Sequence, residues 1–291
     1  MPSTPAAKKP VAVVSDSACA LPPDAARNAG IFIASMEVTI DGSTFADGPN
    51  GSVGDFYQLL RKSVTQPTTS APKPAAWLNV FSQAAEQGDS IFCATLSASL
   101  SASYDSARVA AELAVTELPG VNITVFDTKS AAGSQALIVL AAAQAAESGT
   151  SLTDTESRAR EVAGRTRLVA YLDTLEYIWR GGRVPRAAVW VSQLLNIKPV
   201  MELSPKRIGV VARPRTRKGA FNRLLLEMRR DVGSRRAHIN VTHADAEDEA
   251  RALSERIGKE FNCAELFTTP FHPFMGAHTG PGLVGAAYWA E

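Results

Sequence analysis

Hydroxyl groups gather at two places in this 291-residue chain: Thr68, Thr69 and Ser70 within a polar stretch at 66–72, and Ser97, Ser99, Ser101 and Ser103 at 97–103. Four histidines accompany them, and His238 with His243, and His272 with His278, fall close together in sequence. Serine with histidine first raises nucleophilic hydrolysis. The G-x-S-x-G elbow that would expose such a serine does not occur. Neither histidine pair has the spacing of a helical zinc site, and no Walker A phosphate loop is found. Gly280, Gly282 and Gly285 reproduce G-x-G-x-x-G. That pattern binds a dinucleotide only between a first strand and a helix, with an acid about twenty positions on. Here six residues follow Gly285, so the glycines are read as allowing close backbone approach around His278. No catalytic residue, metal or cofactor is expected.

The hydroxyls have two further uses. Serine and threonine before a helix are ordinary caps. Clustered at several helix starts, they also suit an anion, because free N–H groups and the positive end of the helix dipole point there. Neutral donors plus one histidine fit a carboxylate or phosphate held without a matching Arg or Lys.

The elements that would position these groups alternate. Apolar runs at 11–15, 31–34, 91–96 and 121–126 read as buried strands. Helices are expected at 22–30, 74–87 and 104–117, with an Ala-rich one ending near Ser148 and Gly149. Residues 37–45 read as a hairpin, and Ser52 with Asp55 as a capping box. This β–α alternation predicts an α/β fold: an N-terminal parallel sheet with helices on both faces. Ligands in such sheets lie beyond the carboxyl ends of the strands, where Asp16, Ser17, the 97–103 loop, Asp127 and Thr128 fall. The second half mixes hairpins with helices. Thr153 and Glu156 read as a capping box, 180–183 as a tight turn, 199–212 as a hairpin, and 217–232 as a basic helix. It is expected to be an α+β domain with a mixed or antiparallel sheet. The division is a disordered tail at 1–10, an α/β domain at 11–165 completed by 270–291, and an α+β domain at 166–269. Thr69 and His278 are both placed in loops.

Composition limits the function classes. Thirty basic and 29 acidic side chains leave a net charge of +1, so the whole-chain charge selects no polyanionic partner. Cys19, Cys93 and Cys263 are too few and too scattered for a disulfide framework. A reducing, cytoplasmic setting without signal peptide or stable membrane anchor is expected. The sequons at Asn122 and Asn240 fall in strands read as buried. Region 204–236 is basic, with Lys206, Arg213, Arg215, Arg217 and Lys218 among eleven cations. It serves as a solvated face, a nucleic-acid stripe, or a docking surface for an acidic partner.

Together these motifs resemble the DegV family. Val14, Ser15, Asp16 and Ser17 with Leu21 are similar to its opening "TDS…DL" strand. Residues 67–72 resemble its "PTTSQPS" loop, with departures at Ala71 and Lys73. Residues 96–104 resemble "LSSxLSGTY", departing at Ala98, Ala102 and Ser103. Residues 180–183 resemble "KGGR", and 276–282 the terminal "xHxGPG". The set runs in family order over nearly the whole chain. The resemblance implies an apolar tunnel in the first domain that holds a long-chain fatty acid. It implies a carboxylate bound by Thr69 with Ser70, by Ser97 or Ser101, and by His278. It further implies a bacterial carrier subunit, itself no enzyme, that presents the carboxylate to a fatty acid kinase subunit for phospholipid synthesis. Arg183 resembles a kinase-docking residue, and Arg213 with the basic run would assist it. No nucleic acid is expected as partner. The competing readings are a stand-alone acyl or phosphate ester hydrolase with His278 as general base, and a nucleic-acid-binding regulator using 204–236.

Overall fold

Apolar β-branched runs flanked by turn residues become the strands of three sheets in a computed structural model that describes residues 9–47, 53–184 and 197–291. Strands β1 (Lys9–Asp16), β2 (Ile31–Ala34), β6 (Gly88–Thr95) and β7 (Asn122–Asp127) form a parallel sheet ordered β2-β1-β6-β7. A small antiparallel sheet holds β3 (Glu37–Ile40), β4 (Ser43–Ala46) and β5 (Thr68–Ser70) in the order β4-β3-β5. The third sheet joins β8 (Arg167–Tyr171), β9 (Val200–Ser204), β10 (Arg207–Ala212), β11 (Ala237–His243), β12 (Cys263–Pro270) and β13 (Val284–Ala290). Its order is β10-β9-β8-β13-β11-β12, antiparallel except for β11 beside β12.

Helices layer these sheets. On the outer face of the parallel sheet lie α3 (Pro74–Ala85) and α4 (Ser103–Glu117), where Trp77, Phe81 and Ala110 pack on Val14, Ile91 and Cys93. The outer face of the six-stranded sheet carries two helices, here α8 (Arg217–Val232) and α9 (Glu247–Glu260). Leu224, Met228, Leu253 and Ile257 meet Val169, Ile239 and Val284 there. Between the sheets run α5 (Ala132–Glu147) and α6 (Leu152–Arg165). Twelve of the sixteen α5 residues are buried, as expected of a helix apolar on every side. Its small residues let the layers close: a Cβ on Gly133 would lie 2.1 Å from Asn240 Oδ1 and 3.0 Å from Ala287 Cβ. Four shorter helices complete the described chain: α1 (Pro23–Asn28), α2 (Val53–Lys62), α7 (Glu176–Arg180) and α10 (Pro273–Thr279).

The mixed α/β architecture matches the expectation, with several local corrections. Residues 9 and 10 belong to β1 rather than to a tail, since Lys9 pairs with Gly88; residues 1–8 and Ser52 lie outside the described residues. The polar stretch at 66–72 contains a strand, because Thr68–Ser70 adds to the hairpin with Thr69 opposite Val38. The α6 cap is Ser151, which accepts from Asp154 N at 3.2 Å. The helix starts at Leu152, too early for Thr153 to cap it, and Glu156 pairs instead with Arg160 at 2.5 Å. Asn122 opens β7 but is exposed, whereas Asn240 is buried. Segment 270–291 divides: α10 packs against α2, β3 and β5, but β13 lies inside the six-stranded sheet between β8 and β11. Its seven buried residues need that sheet on both edges. Gly280 to Gly285 leads from helix α10 into strand β13, the reverse of a dinucleotide fingerprint.

The Gly133 contact carries an expectation. Gly133→Ala should lower stability by about 1–3 kcal/mol, the usual cost of overpacking a tight core. Chemical denaturation checks this, and a midpoint unchanged from the parent would show that Asn240 yields freely.

Candidate functional site

Beyond the carboxyl end of β6, a cavity opens between the parallel sheet's loops and the inner face of the six-stranded sheet. Leu96 and Leu100 border it on one side, with Ala131 just before α5. Opposite, Leu168, Ala170 and Leu172 line it from β8 and its end, with Met201 and Leu203 from β9. These residues share one face because strand side chains alternate, while Val169 and Tyr171 turn to the α8–α9 layer. Space free of protein atoms amounts to about 900 Å³, a figure that includes open solvent at the mouth.

Among the described residues, four that line it are polar or charged: Arg183, Glu202, His278 and Thr279. Two of them are engaged elsewhere. Glu202 accepts from Arg167 Nη2 at 2.8 Å and Ser204 Oγ at 2.9 Å, and the Thr279 hydroxyl donates to Met275 O at 2.9 Å. His278 and Arg183 remain, and both meet Thr69. His278 Nε2 lies 3.0 Å from Thr69 Oγ1, and Arg183 Nη2 donates to the same hydroxyl at 3.5 Å. Arg183 Nη1 donates to Gly181 O at 2.6 Å, which fixes the guanidinium beside the histidine. The His278 ring stands edge-on to Phe274 with centroids 5.4 Å apart. Its Nδ1 is buried without a hydrogen-bond partner among the described residues and faces Gly181, where a Cβ would come within 2.9 Å. Gly280, with φ of +72°, turns the chain after α10 under the Tyr177 ring, 2.1 Å from any added Cβ.

Burial, with the Arg183 charge adding to it, pushes the His278 imidazole down to about 4. The ring is therefore neutral at pH 7, with one N–H to donate.

A buried carboxylate braces the wall of the cavity. Asp16, at the end of β1, accepts from Leu96 N at 2.8 Å, Ser103 Oγ at 2.6 Å and Gln135 Nε2 at 2.8 Å. Burial raises its pKa despite these donors. A second buried acid, Asp47, accepts from Phe274 N at 2.9 Å. Burial pushes this carboxyl up to about 7 against the Ser17 hydroxyl and the Phe274 N–H.

The expected site residues divide on this geometry. Thr69 and His278 meet, but on β5 and α10 rather than on loops. Ser70, the next strand residue, turns outward and its hydroxyl reaches Glu37 Oε2 at 3.5 Å. The Ser97 hydroxyl engages Ser99 Oγ at 2.9 Å, and Ser101 Oγ accepts from Ser103 N at 3.2 Å. Their loop reaches the cavity through Leu96 and Leu100 instead. Arg183 was expected at a docking surface apart from the ligand; it is exposed yet also lines the cavity. Arg213 is exposed, with no ion pair among the described residues. Asp16 was legible as a polar strand end, but its bracing role was not. Nothing in the sequence marked Asp47.

The sequence model of the DegV family matches residues 10–291. The chain belongs to the DegV family. A DegV domain-containing protein of Streptomyces coelicolor is 34% identical over 277 residues, 94% of this chain and 96% of its own. One from Clostridium perfringens is 28% identical over 282 residues, covering 97% of this chain and 99% of its own. Among solved structures, a DegV family protein from Thermus thermophilus, described by its fatty acid binding, aligns with a TM-score of 0.87 at 28% identity. That match covers 97% of this chain and 99% of the other. DegV from Bacillus subtilis, a fatty acid binding protein, shares the fold with a TM-score of 0.87 at 24% identity, covering 98% and 100%. Among the described residues of this DegV chain, no helix is long and apolar enough to cross a membrane.

The histidine sets a pH dependence. The unfolded imidazole takes up a proton near its ordinary value of 6.5, the folded one only near 4. Protons thus favour unfolding between these values, so this group's stabilisation is full above pH 6.5 and lost as the pH falls to 4. The shift corresponds to a loss on the order of 3 kcal/mol. His243 and His272 are also lowered by burial, and Asp47 acts in the opposite sense. The difference between parent and His278→Asn isolates the His278 contribution: as the pH falls from 6.5 to 4 the parent's denaturant midpoint should fall relative to the variant's. Parallel curves would contradict a buried neutral ring.

Proposed function

We propose that this chain binds one long-chain fatty acid, its alkyl chain in the apolar cavity and its carboxylate at Thr69, His278 and Arg183. The single observation that carries this reading is the cavity lining: almost wholly apolar among the described residues, with the His278 and Arg183 side chains meeting at one hydroxyl. Burying about fourteen methylenes contributes roughly 11 kcal/mol before ordering costs. A carboxylate taken from water must be hydrogen-bonded or paired, or it costs several kcal/mol. A neutral His278 N–H, the Thr69 hydroxyl and the Arg183 guanidinium supply such partners. The family likeness to fatty-acid-binding DegV proteins supports the same ligand.

The chain acts as a carrier and presents the carboxylate to a partner kinase subunit, which transfers a phosphoryl group to it and yields an acyl phosphate for lipid synthesis. Thr69 beside His278 is also the geometry of a nucleophile and its base. Two observations favour the carrier. Among the described residues, His278 Nδ1 has no acceptor of the kind that orients a catalytic imidazole. An imidazole titrating at about 4 is also a poor base at neutral pH. The basic run favours protein docking over nucleic acid, since most of its guanidiniums are already paired. Arg217 binds Asp173 and Glu249, Arg223 and Arg230 bind Glu227, and Arg229 binds Glu260. Arg213, Arg215 and Lys218 remain exposed for an acidic partner surface.

Native mass spectrometry of the purified protein should show one long-chain fatty acid per chain. A bare polypeptide whose melting temperature does not rise with added fatty acid would contradict the proposal. Thr69→Ala should weaken fatty acid binding by about 1–3 kcal/mol, with little change for the methyl ester; equal losses for both would remove Thr69 from the head-group site. Arg213→Glu should slow partner-dependent acyl phosphate formation about tenfold or more, at unchanged lipid content. Full activity with the kinase partner would exclude Arg213 from docking.

A further inference from the structure

The head-group pair joins residues 209 positions apart, yet both are held by one small element. Thr69 belongs to β5, which pairs with β3. On the other edge of β3 lies β4, whose last residue, Ala46, pairs with Glu37. Asp47 follows immediately, fully buried, with its own N–H donating to Met36 O at 2.7 Å. Its carboxylate accepts the Phe274 N–H at 2.9 Å. That N–H is the first free donor of α10, since Pro273 has none. The residue before the helix, His272, makes no side-chain cap bond. Asp47 therefore fills, from 227 positions away, the role a local cap leaves open. A helix of seven residues does not hold itself, so tertiary contacts set its place. One turn on, the Phe274 ring packs edge-on against His278.

From this chain of contacts we infer that Asp47 is a positioning residue: its carboxylate anchors α10 to the sheet that carries Thr69 and thereby sets His278 against the ligand head group. The inference rests on the fatty-acid reading above and assigns Asp47 no contact with the ligand. The anchor acts on registry: one sheet grips the start of α10 and presents Thr69 to its end. Losing the Phe274 bond frees the short helix to shift; the cavity walls on β8 and β9 do not depend on it, whereas Phe274 and Met275 on α10 itself also line the cavity, so the acid loses more than the ester rather than the acid alone.

The test is titration of the delipidated full chain with hexadecanoic acid and with its methyl ester, in the parent, Asp47→Ala and Asp47→Asn. Asp47→Ala should weaken the acid about fivefold or more, the scale of one lost buried hydrogen bond, and the ester by a clearly smaller factor. Asp47→Asn retains a carbonyl acceptor and should bind both ligands within about twofold of the parent. The His278 ring resonances in NMR spectra should move in the alanine variant and stay in the asparagine variant. Should Asp47→Ala not fold, Asp47→Ser must show the same acid-selective loss. Parent-like acid binding by the alanine or serine variant overturns the inference, and so does an equal loss for acid and ester, which would make Asp47 a general support of the cavity. A parent that prefers acid over ester while the variants change nothing leaves the fatty-acid reading standing and removes only Asp47. A parent that binds neither ligand overturns that reading and this inference with it.

Discussion

Burial of α5 on all sides governs the rest of the molecule. The helix packs on β1 and β6 of the parallel sheet and on β8, β11 and β13 of the six-stranded sheet. Two sheets can share one helix only if its side chains are small on opposite faces, which Ala132, Gly133, Ala136 and Ala142 provide. The approach also commits polar groups. Gln135 reaches out of the same helix to Asp16, and Asn240 fills the space beside Gly133. Close packing of this kind leaves little slack, so the cavity just beyond Ala131 has walls fixed by the layers on either side. That is the physical condition for a lipid site whose shape precedes its ligand.

The head-group end follows a different economy. Thr69 and His278 come from the small antiparallel sheet and from a short helix late in the chain, and a long cation from the turn after α7 joins them. None of the three is rigid alone. They gain position from buried partners that never face the cavity: Asp47 under α10, Gly181 against the imidazole, and the Gly280 turn under Tyr177. The neutral imidazole follows from this packing, because burial and the Arg183 charge both disfavour its protonated form. On the proposed reading, a charged ligand carboxylate is the group that satisfies the site, and its charge complements the guanidinium.

Most of the parallel sheet was legible, since runs such as 11–15 and 91–96 are apolar, β-branched and bounded by turn residues. Motif resemblance singled out Thr69 and His278, which the structure brings together, while their elements were not legible. Three strand residues in a four-residue stretch between two prolines do not announce a strand until β3 offers a neighbour, and α10 has no local cap to mark its start. The serines at 97–103 admit two readings for a physical reason. A hydroxyl near a helix start can serve an anion or its own loop, and Ser97 and Ser101 serve the loop. The reach of Arg183 into the cavity was hidden because a glycine-rich turn in sequence says only that a side chain can be displayed, not which way it folds back. Asp47 was illegible because its partner lies 227 residues away, and no local pattern encodes such a contact.

The most direct measurement follows the ligand carboxyl itself, by NMR titration of bound hexadecanoic acid labelled with carbon-13 at the carboxyl. With Arg183, Thr69 and a neutral His278 holding the anion, the bound group should be ionised at pH 7 and titrate at or below about 4.3, the ordinary carboxylate value. In Thr69→Ala that titration should move upward. A bound acid still protonated at neutral pH, or one whose titration is indifferent to Thr69, would contradict a head-group site built from these residues.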